Sequence, residues 1–332
     1  MFSALQRLDL MFFSPAQNEF PRHLRIQSWT VRFFKQVGVS LWLFCRARRI
    51  ITRYGLEKLN IHAGPGGVLL VRRLPIPVVV TCHHTYRQQC HFLPSQFWKR
   101  IFIPFEQRTY RLASRIVCVS DATRRALVED YAIAQEKIVT VYNAVDTVRF
   151  RPLGTPKEPR TIVYVGRLDR RKGIEFLIRS LPRVLAEVPD ALLIVGGTGS
   201  HLEKMKALAC RLGLEGSVSF LGFVPDGELN ALYNRAQCVV VPSVFEGFGI
   251  TVIEALAAGT RVVGSDTDGI REILSGGDYG SLAPHGDRSA LAAAIVSELQ
   301  HPRSAPPLGP EYRIEQFREG YLKAFHDSVS AA

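Results

Sequence analysis

The sequence predicts an α/β protein of two domains, in which parallel strands alternate with helices. The chain has 332 residues, of which 47% are hydrophobic and 22% charged, enough for two domains with a large buried core. Its second half alternates short, continuous apolar runs with helical segments, a pattern typical of a parallel sheet covered on both faces. Residues 149–160 are rich in proline, glycine and charge, and this composition predicts a linker between the halves.

Positive charge is concentrated in the first half. Residues 1–150 contain 22 Lys and Arg against 9 Asp and Glu, whereas residues 151–332 contain 20 against 21. This asymmetry favours an anionic partner for the first half, which is either nucleic acid, a membrane surface or a phosphorylated acceptor. A basic surface that serves only solubility is the alternative interpretation.

Cysteine usage and hydropathy predict a cytoplasmic protein. The six cysteines form no C-x-x-C pair, and Cys118 and Cys238 lie in strand-like runs, so we expect buried thiols in a reducing compartment. The start of the chain lacks the pattern of a signal peptide, and no apolar run reaches the ~20 residues of a spanning helix. We therefore expect a cytoplasmic protein that can also lie peripherally on the inner membrane face.

The first half contains one basic amphipathic helix and several short strands. Residues 1–30 show no clear period, but 31–54 have helical apolar spacing and many arginines. This helix either packs its apolar stripe on a sheet or lies on a membrane surface. A capped helix is expected at 121–129 after Ser120. Strands are predicted at 68–71, 77–82, 116–119 and 138–142.

The strand at 77–82 runs directly into His83. Ligands of open α/β sheets bind at the carboxyl ends of the strands, and a neutral imidazole can both donate and accept a hydrogen bond. His83 is therefore a candidate for orienting or polarising a reacting group, with a bond to nearby backbone as the alternative. Together with His83, Cys82, His84, Cys90 and His91 resemble a zinc site in composition but lack its spacing, so we expect no metal here.

Aromatic and basic residues interleave between Gln96 and Arg115. Such a mixture suits a lipid headgroup interface or an anionic acceptor, and it also suits single-stranded nucleic acid. No RNP-type, zinc-finger or P-loop pattern accompanies it, so we expect no nucleic-acid partner. The residues are Phe97, Trp98, Phe102, Phe105 and Tyr110 with Lys99, Arg100, Arg108, Arg111 and Arg115.

The second half is more regular. Between the strand at 161–165 and the helix at 174–186, Gly166 and Gly173 bracket a cluster of cations, an arrangement suited to a phosphate or pyrophosphate. A basic connecting loop is the alternative. The D-x-D triplet at 266–268 favours a turn over a metal site. Further strands are predicted at 191–195, 218–221, 238–241 and 261–264, and further helices at 200–212, 291–299 and 312–329.

The chain is organised around residues 242–254, P-S-V-F-E-G-F-G-I-T-V-I-E. An apolar strand precedes this stretch and helical spacing follows it, so Glu246 lies on a strand-to-helix turn among glycines that let the backbone approach a ligand. Glu254 lies more than a turn into the helix. Carboxylates accept hydrogen bonds from neutral hydroxyls, so the two acids suit the two ends of a polyol ligand. A solvated loop acid and a salt bridge are the alternatives.

These motifs resemble the nucleotide-sugar domain of retaining GT-B glycosyltransferases, family 4-like members of the glycosyl transferases group 1. The resemblance covers residues 60–300 approximately, and its segments come in the family's order. They are G-R-L-x-x-x-K-G at 166–173, F-L-G-F-V-P at 220–225, P-S-x-x-E-G-F-G at 242–249 followed by Glu254, and D-x-x-G-I-R-E at 266–272.

The resemblance implies a GT-B fold, in which two Rossmann-like domains with parallel sheets face each other across a cleft. It implies an acceptor-side domain at 1–150, a nucleotide-sugar domain at 151–308 and, at 309–332, a terminal helix that crosses back to the first domain. Landmarks of the first domain match at 81–83 (T-x-H) and 143–146 (N-A-V-D).

The start of the chain departs from the family pattern. Members normally begin with a strand and a glycine-rich loop well ahead of the segment matched by 60–63, and neither is visible there. The family's second histidine in that segment is replaced by Gly64. We therefore expect an N-terminal domain that is truncated or shortened.

By the same resemblance, the donor is a nucleoside diphosphate sugar. Arg167 and Lys172 would hold the diphosphate, and Phe223 and Val224 would border the base. Glu246 would accept hydrogen bonds from hydroxyls of the transferred sugar, and Gly247, Phe248 and Gly249 would offer backbone N–H groups. Glu254 would accept hydrogen bonds from the ribose hydroxyls. His83 would lie beside the donor sugar, so His83 and Glu246 are the candidate catalytic residues.

Enzymes of this kind use neither a metal nor another cofactor, because cationic side chains and a helix dipole take the role of Mg²⁺. The implied function is retaining transfer of a hexose to a lipid-linked or polysaccharide acceptor in cell-surface glycan synthesis. Two alternatives stay open. They are a nucleotide-sugar-binding protein without turnover, and a GT-B isomerase that acts on the sugar nucleotide itself.

Overall fold

The computed structural model describes residues 12–14, 23–25, 35–64, 67–70 and 72–330. They divide into two compact units. Unit 1 runs to Asn143 and resumes at Ile314, and unit 2 comprises Ala144–Arg313. Most of residues 1–30, residues 31–34 of the predicted first helix and Val71 lie outside the described residues.

Unit 1 is built on a parallel sheet of four strands in the order β3-β4-β5-β6. Two short strands near the start, β1 (Phe12–Ser14) and β2 (His23–Arg25), pair with each other. The larger strands are β3 (Leu59–Ala63), β4 (Val78–Cys82), β5 (Arg115–Cys118) and β6 (Ile138–Thr140). The helices are α1 (Lys35–Tyr54), α2 (Tyr86–Phe92), α3 (Ile103–Leu112) and α4 (Asp121–Tyr131), with a 3-10 segment at Pro94–Phe102.

The sequence pattern predicts that α1 either packs on a sheet or lies on a membrane, and in the structure it packs on unit 1. Ala47 and Ile50 are buried, Leu43 contacts the core of the unit, and Arg46, Arg48 and Arg49 are exposed. This arrangement follows from helical periodicity, because residues three and four apart share one face.

A strand is predicted at 68–71, and the described part of it, 68–70, does not form a strand. The backbone N–H groups of Leu69 and Leu70 donate to the hydroxyls of Ser40 and Thr109, at 2.9 and 2.8 Å, and not to a neighbouring strand. Side-chain hydroxyls offer the backbone an alternative to ladder pairing. The apolar residues are buried all the same, at 5% exposure each, so burial and not sheet pairing explains the apolar run.

The last helix, α11 (Ile314–Ser330), packs on the sheet of unit 1 against β4 and β5. Phe317, Tyr321 and Ala324 are buried, and the Tyr321 hydroxyl lies 3.0 Å from Thr81 Oγ1. The chain thus returns to its first unit after completing the second.

Unit 2 is built on a parallel sheet of six strands in the order β9-β8-β7-β10-β11-β12. The strands are β7 (Thr161–Val165), β8 (Leu192–Gly196), β9 (Val218–Gly222), β10 (Cys238–Val241), β11 (Val262–Ser265) and β12 (Gly280–Ala283). The helices are α5 (Ile174–Glu187), α6 (Leu202–Arg211), α7 (Leu229–Arg235), α8 (Ile250–Ala257), α9 (Asp268–Leu274) and α10 (Arg288–Gln300). A buried apolar core from strands and helices joins the layers.

The sequence pattern predicts five strands for this unit, and the structure adds β12. Its residues, Gly280 to Ala283, include none of the β-branched or aromatic types that favour strands, and it is an edge strand paired only with β11. This strand therefore forms because it pairs with β11, and its local composition does not predict it.

Residues 149–160, predicted to be a linker, are attached to unit 2. The Arg151 and Leu153 N–H groups donate to the side-chain amides of Asn230 and Asn234 on α7, at 3.1 and 2.8 Å. Phe150 is buried against Tyr233. The change between units falls earlier, between Asn143 and Ala144, because these contacts hold the proline-rich segment on α7.

Four of the six cysteines are buried, but Cys45 and Cys210 are exposed on the outer faces of α1 and α6. The expectation that all six thiols are buried is therefore wrong for these two, since neither lies in a strand-like run. No helix among the described residues is long and apolar enough to cross a membrane.

Candidate functional site

The candidate site of unit 2 lies where the strand order of its sheet reverses. From β7 the chain moves outward to β8 and β9, then returns to place β10 on the other side of β7. Strands β7 and β10 pair directly, with Val163 opposite Val239. Loops that leave neighbouring strands in opposite directions open a crevice at the carboxyl edge, and ligands of α/β sheets bind there. The loops after β7 and β10 are the two stretches that the sequence singled out.

A glycine lets these two loops touch. Gly173 has a φ of 70°, and a Cβ atom at this position would lie 1.8 Å from the carbonyl oxygen of Pro242. The Val244 N–H donates to the Arg171 carbonyl at 2.8 Å and fastens the loops further. Only glycine satisfies both the left-handed backbone and the close approach.

The loop after β7 presents its cations through a short 3-10 turn, Arg170–Lys172. The Asp169 carboxylate accepts the Lys172 N–H at 3.1 Å and caps this turn. The turn directs the Lys172 side chain to Glu246, so that Nζ lies 2.6 Å from Oε2. Only 20% of the Lys172 side chain and 14% of the Glu246 side chain are exposed, so this ion pair is largely shielded from water.

A second cation faces Glu246. Arg171 Nη1 lies 3.7 Å from Glu246 Oε1 and donates to the Phe245 carbonyl at 3.5 Å. The sequence interpretation includes Arg171 in the cation cluster but assigns it no role, because spacing alone does not show which of several adjacent cations points into a crevice. The Ser243 hydroxyl adds a longer hydrogen bond to Glu246 Oε2 at 3.4 Å.

Arg167 is not part of this cluster. Its side chain is 71% exposed and pairs with Asp169 at 3.2 Å. It lies on the same loop as Lys172, at the same edge of the sheet, with its guanidinium largely in solvent. Of the two cations predicted to hold a diphosphate, the structure therefore brings Lys172, and not Arg167, into contact with Glu246.

The glycine turn at 247–249 leads into α8. Gly249 has a φ of 115° and occupies the N-cap, where it has no side chain to hydrogen-bond the first N–H groups of the helix. Phe248 is buried, and a Cβ atom on Gly269 would meet the Phe248 backbone at 2.5 Å. The Gly269 N–H donates to the Glu246 carbonyl at 3.2 Å, so the start of α9 is hydrogen-bonded to the loop that carries Glu246.

Glu254 lies on α8 beside α7. Its Oε2 accepts a hydrogen bond from the Tyr233 hydroxyl at 2.9 Å. Burial raises the pKa of Glu254, and the bond from Tyr233 partly opposes that rise. The two glutamates thus differ in partner, because Glu246 is held by cations and Glu254 by a neutral hydroxyl.

Phe223 and Val224 follow β9 on the other side of β7. Phe223 is 73% exposed, whereas Val224 is half-buried and packs on the end of β8, where a Cβ on Gly196 would meet its Cγ2 at 2.9 Å. The Gly197 N–H donates to the Gly222 carbonyl at 2.6 Å and joins the loops after β8 and β9. An exposed aromatic ring therefore stands at this edge of the sheet.

In unit 1, His83 forms a pair with His62. His83 follows β4, His62 lies near the end of the neighbouring β3, and His62 Nδ1 is 2.8 Å from His83 Nε2. The two rings stack with centroids 5.1 Å apart. Burial lowers the pKa of both, and that of His62 to about 4 with a further contribution from His83. Both rings are neutral near pH 7, so one donates to the other.

The alternative metal ligands of unit 1 have other partners. Cys82 Sγ lies 3.0 Å from the Tyr110 hydroxyl, and Cys90 donates to the Gln96 carbonyl at 3.5 Å. Within the part of the chain that the structure describes, no three His, Cys, Asp or Glu residues are arranged to hold a metal ion.

Two protein-family models match the chain. Residues 146–309 match the model of Glycosyl transferases group 1, and residues 3–149 match that of Glycosyltransferase Family 4. The chain is 32% identical over 293 residues to a phosphatidyl-myo-inositol mannosyltransferase of Mycolicibacterium smegmatis, an alignment that covers 86% of this chain and 69% of that protein.

Two further proteins are similar to this chain, one in sequence and one in fold. An uncharacterized glycosyltransferase of Methanocaldococcus jannaschii is 34% identical over 212 residues, which cover 60% of this chain and 54% of that protein. The solved structure of sucrose-phosphate synthase from Thermosynechococcus elongatus superposes with a TM-score of 0.73 at 22% identity, covering 95% of this chain and 83% of that one. The chain thus spans just over half of one curated relative and just over two thirds of the other. It belongs to the group 1 glycosyltransferases, which have the GT-B fold.

Proposed function

We propose that this chain transfers a sugar, with retention of anomeric configuration, from a nucleoside diphosphate sugar to a lipid-linked or polysaccharide acceptor of cell-surface glycan synthesis. The observation that carries the proposal is the shielded contact between Lys172 and Glu246 at the strand-order reversal of unit 2. A carboxylate there can accept sugar hydroxyls, while an adjacent cation offsets the charge that develops on a departing diphosphate.

On this proposal, the two cationic residues of the family motif bind the diphosphate. Lys172 reaches it by exchanging part of its contact with Glu246, and Arg167 reaches it because its guanidinium, paired with Asp169, is largely in solvent. Arg171 joins them as a third cation, since it already faces the same carboxylate. Arginine pairs with phosphate through two parallel N–H donors, which also orients the group.

The remaining donor contacts follow the two glutamates. Glu246 accepts hydrogen bonds from hydroxyls of the transferred sugar, and N–H groups of the 247–249 turn contribute further contacts. Glu254 accepts hydrogen bonds from the hydroxyls of the ribose. Phe223 offers an exposed ring as a border for the base, with Val224 behind it. The helix dipole of α8 and the cations supply the electrostatic stabilisation that a metal supplies in other transferases. The proposed reaction is metal-independent, and a phosphate oxygen of the donor accepts the acceptor's proton.

His83 is the second candidate catalytic residue. Its low pKa leaves a neutral imidazole near pH 7, which can donate a hydrogen bond to a sugar hydroxyl. His62, within hydrogen-bond distance, determines which ring nitrogen of His83 carries the proton. Loss of either histidine is therefore expected to lower transfer.

A lipid-linked acceptor is supported by two features. One relative is named a phosphatidyl-myo-inositol mannosyltransferase, and the first 150 residues carry an excess of positive charge. Anionic lipids attract such a surface. We propose that the protein works in the cytoplasm and binds the inner membrane face peripherally.

Transfer assays with a panel of nucleoside diphosphate sugars and membrane extract test this function. The expected result is release of nucleoside diphosphate and a product with the donor's anomeric configuration. A Glu246→Ala variant should lose transfer, whereas Glu203→Ala, which removes an exposed glutamate of α6 paired with Lys206, should retain it. A Glu246→Ala protein as active as the parent would overturn the assigned site.

The same assay separates the alternatives. Binding of nucleoside diphosphate without transfer to any extract would favour a donor-binding protein without turnover. Conversion of the donor in the absence of acceptor would favour an isomerase. Either outcome would contradict the proposed transfer while leaving the fold and family unchanged.

A further inference from the structure

Unit 1 carries an exposed apolar strip, defined by Phe97, Trp98, Ile101 and Phe105. These side chains are 67%, 49%, 57% and 47% exposed. Twelve large hydrophobic side chains are exposed among all described residues, and these four of the twelve fall within nine consecutive positions. Isolated exposed hydrophobic residues are ordinary, but a contiguous group of them marks an interaction surface.

Buried Phe102 anchors the segment that carries the strip. Phe102, between Ile101 and the start of α3, is buried and stacks on Tyr86 with ring centroids 5.4 Å apart. The Trp98 ring contacts Phe102 edge-on at 6.3 Å. Phe102 is thus anchored in the core, while the four side chains of the strip remain exposed on either side of it along the chain.

The charge around the strip is positive. Between residues 94 and 112 the exposed charged side chains are Arg100, Arg108 and Arg111, and half-buried Lys99 places its ammonium 5.8 Å from the Trp98 ring centroid. The only acid of this segment, Glu106, is fully buried and accepts the Tyr86 N–H at 3.0 Å. The apolar strip therefore lies among cations, with no exposed acid within its own segment.

A groove of about 520 Å³ lies beside the segment that carries the strip, and Arg100, between Trp98 and Ile101, lines it. Its wall also includes Arg87, whose guanidinium lies over the Tyr131 ring, together with Asp130 and the imidazole of His91. Two arginines face one carboxylate across the groove, so the groove favours an anionic group.

We propose that the strip docks this chain on an anionic phospholipid bilayer. The rings of Phe97, Trp98 and Phe105 and the side chain of Ile101 enter the interface, the arginines contact lipid phosphates, and the groove receives one headgroup. Aromatic rings with basic neighbours prefer this boundary, because the rings are amphipathic or apolar and the cations remain at headgroup level. The strip would thus be the surface through which the proposed function reaches the membrane, and the lipid-linked acceptor itself rests on that proposed function.

Charge decides between a bilayer and a second copy of this chain. Two copies that met through the strip would bring Arg100, Arg108 and Arg111 of each against the same cations of the other, and like charges in an interface oppose binding. An anionic bilayer neutralises them instead.

Co-sedimentation of the whole chain with vesicles tests the proposal. One vesicle is pure phosphatidylcholine and the other also contains phosphatidylglycerol. We expect binding to the anionic vesicle only, and a loss of at least about tenfold in the variant Phe97→Ser/Trp98→Ser/Ile101→Ser/Phe105→Ser. The control Leu153→Ser/Leu212→Ser, which removes two exposed leucines of unit 2, should bind as the parent does. Arg100→Ser should lower binding by about fivefold.

Spectroscopy gives a second, local measurement. Trp98 emission should be quenched by vesicles with brominated acyl chains, and this quenching should be absent from a Trp98→Phe variant. The proposal is overturned if the fourfold variant binds anionic vesicles as the parent does, or if the parent binds both vesicles equally. It is also overturned if the parent ignores both vesicles and the fourfold substitution converts a solution dimer to a monomer, or abolishes binding of a random oligonucleotide.

Failure of the docking surface and failure of the proposed function are distinguishable. Nucleoside diphosphate binding, measured by calorimetry without vesicles, depends on unit 2 and should be equal in the parent and the fourfold variant. A protein that binds donor but no membrane refutes the docking surface alone, and one that binds membrane but no donor refutes the transfer function alone.

Discussion

Lys172 and Glu246 are 74 positions apart, yet Lys172 Nζ lies 2.6 Å from Glu246 Oε2 with both side chains largely shielded from water. A Lys172→Met variant should bind nucleoside diphosphate at least about tenfold more weakly, because a hydrogen bond to a charged group is worth about 1.5–3 kcal/mol. Lys206→Met removes an exposed lysine of α6 and should change nothing. Calorimetry with nucleoside diphosphate measures the difference, and unchanged affinity in Lys172→Met would remove this residue from the donor site.

The contact between Gly173 and the Pro242 carbonyl should be essential to the joined loops. Gly173→Ala forces a Cβ to within 1.8 Å of that oxygen and should cost at least about 3 kcal/mol in unfolding free energy. Gly213→Ala is a matched control, since its φ of 67° is similar and nothing lies within 4 Å, and it should cost only about 1 kcal/mol. Urea denaturation compares the two variants. Equal costs would mean that the close approach contributes nothing.

Tyr233 should act on nucleoside binding through Glu254. Removing its hydroxyl in Tyr233→Phe deletes the 2.9 Å bond that lowers the pKa of Glu254, so this pKa should rise further. Nucleoside diphosphate affinity should fall by about three- to tenfold, the effect of one neutral hydrogen bond. On acidification, the affinity of the variant should begin to decline at a higher pH than that of the parent. Calorimetric titration of uridine and guanosine diphosphates over a pH series measures both effects. A Glu254 that titrates at lower pH in the variant would contradict this prediction.

Glu106 should make the stability of unit 1 depend on pH. Burial raises its pKa from 4.5 to about 7, so the native state holds a proton that the unfolded state releases between these values. Its contribution is complete below pH 4.5 and is lost as the pH rises through 7, a change on the order of 3 kcal/mol. The difference in unfolding free energy between the parent and Glu106→Gln should therefore change by this amount as the pH is raised from below 4.5 to above 7.

Amide hydrogen exchange of β4 and β5 at several pH values measures this shift within unit 1. Two other groups act in the opposite direction, because His62 and His83 have lowered pKa values and cost stability as the pH falls below 6.5. Both are present in the parent and in the variant, so they cancel in the comparison. A difference that does not vary with pH would show that Glu106 is ionised in the native state.

The sequence predicted the strands of unit 2 well wherever a strand is a continuous run of β-branched residues. It did not predict β12, whose Gly-Ser-Leu-Ala composition carries no strand preference, and it predicted a strand at 68–71 where the hydroxyls of Ser40 and Thr109 take the backbone donors. Strand formation at these places depends on partners distant in sequence. Local propensity therefore fails at both.

By itself, the sequence determined the family and the local position of Glu246, because a buried strand, a glycine turn and a helix follow each other within one short stretch. Only the tertiary structure decided which cation meets that carboxylate. Pairing of β7 with β10 brings the two loops together, and the 3-10 turn then presents Lys172 and Arg171 and leaves Arg167 in solvent. Contacts between distant residues depend on strand order and backbone direction, which no spacing along the chain encodes.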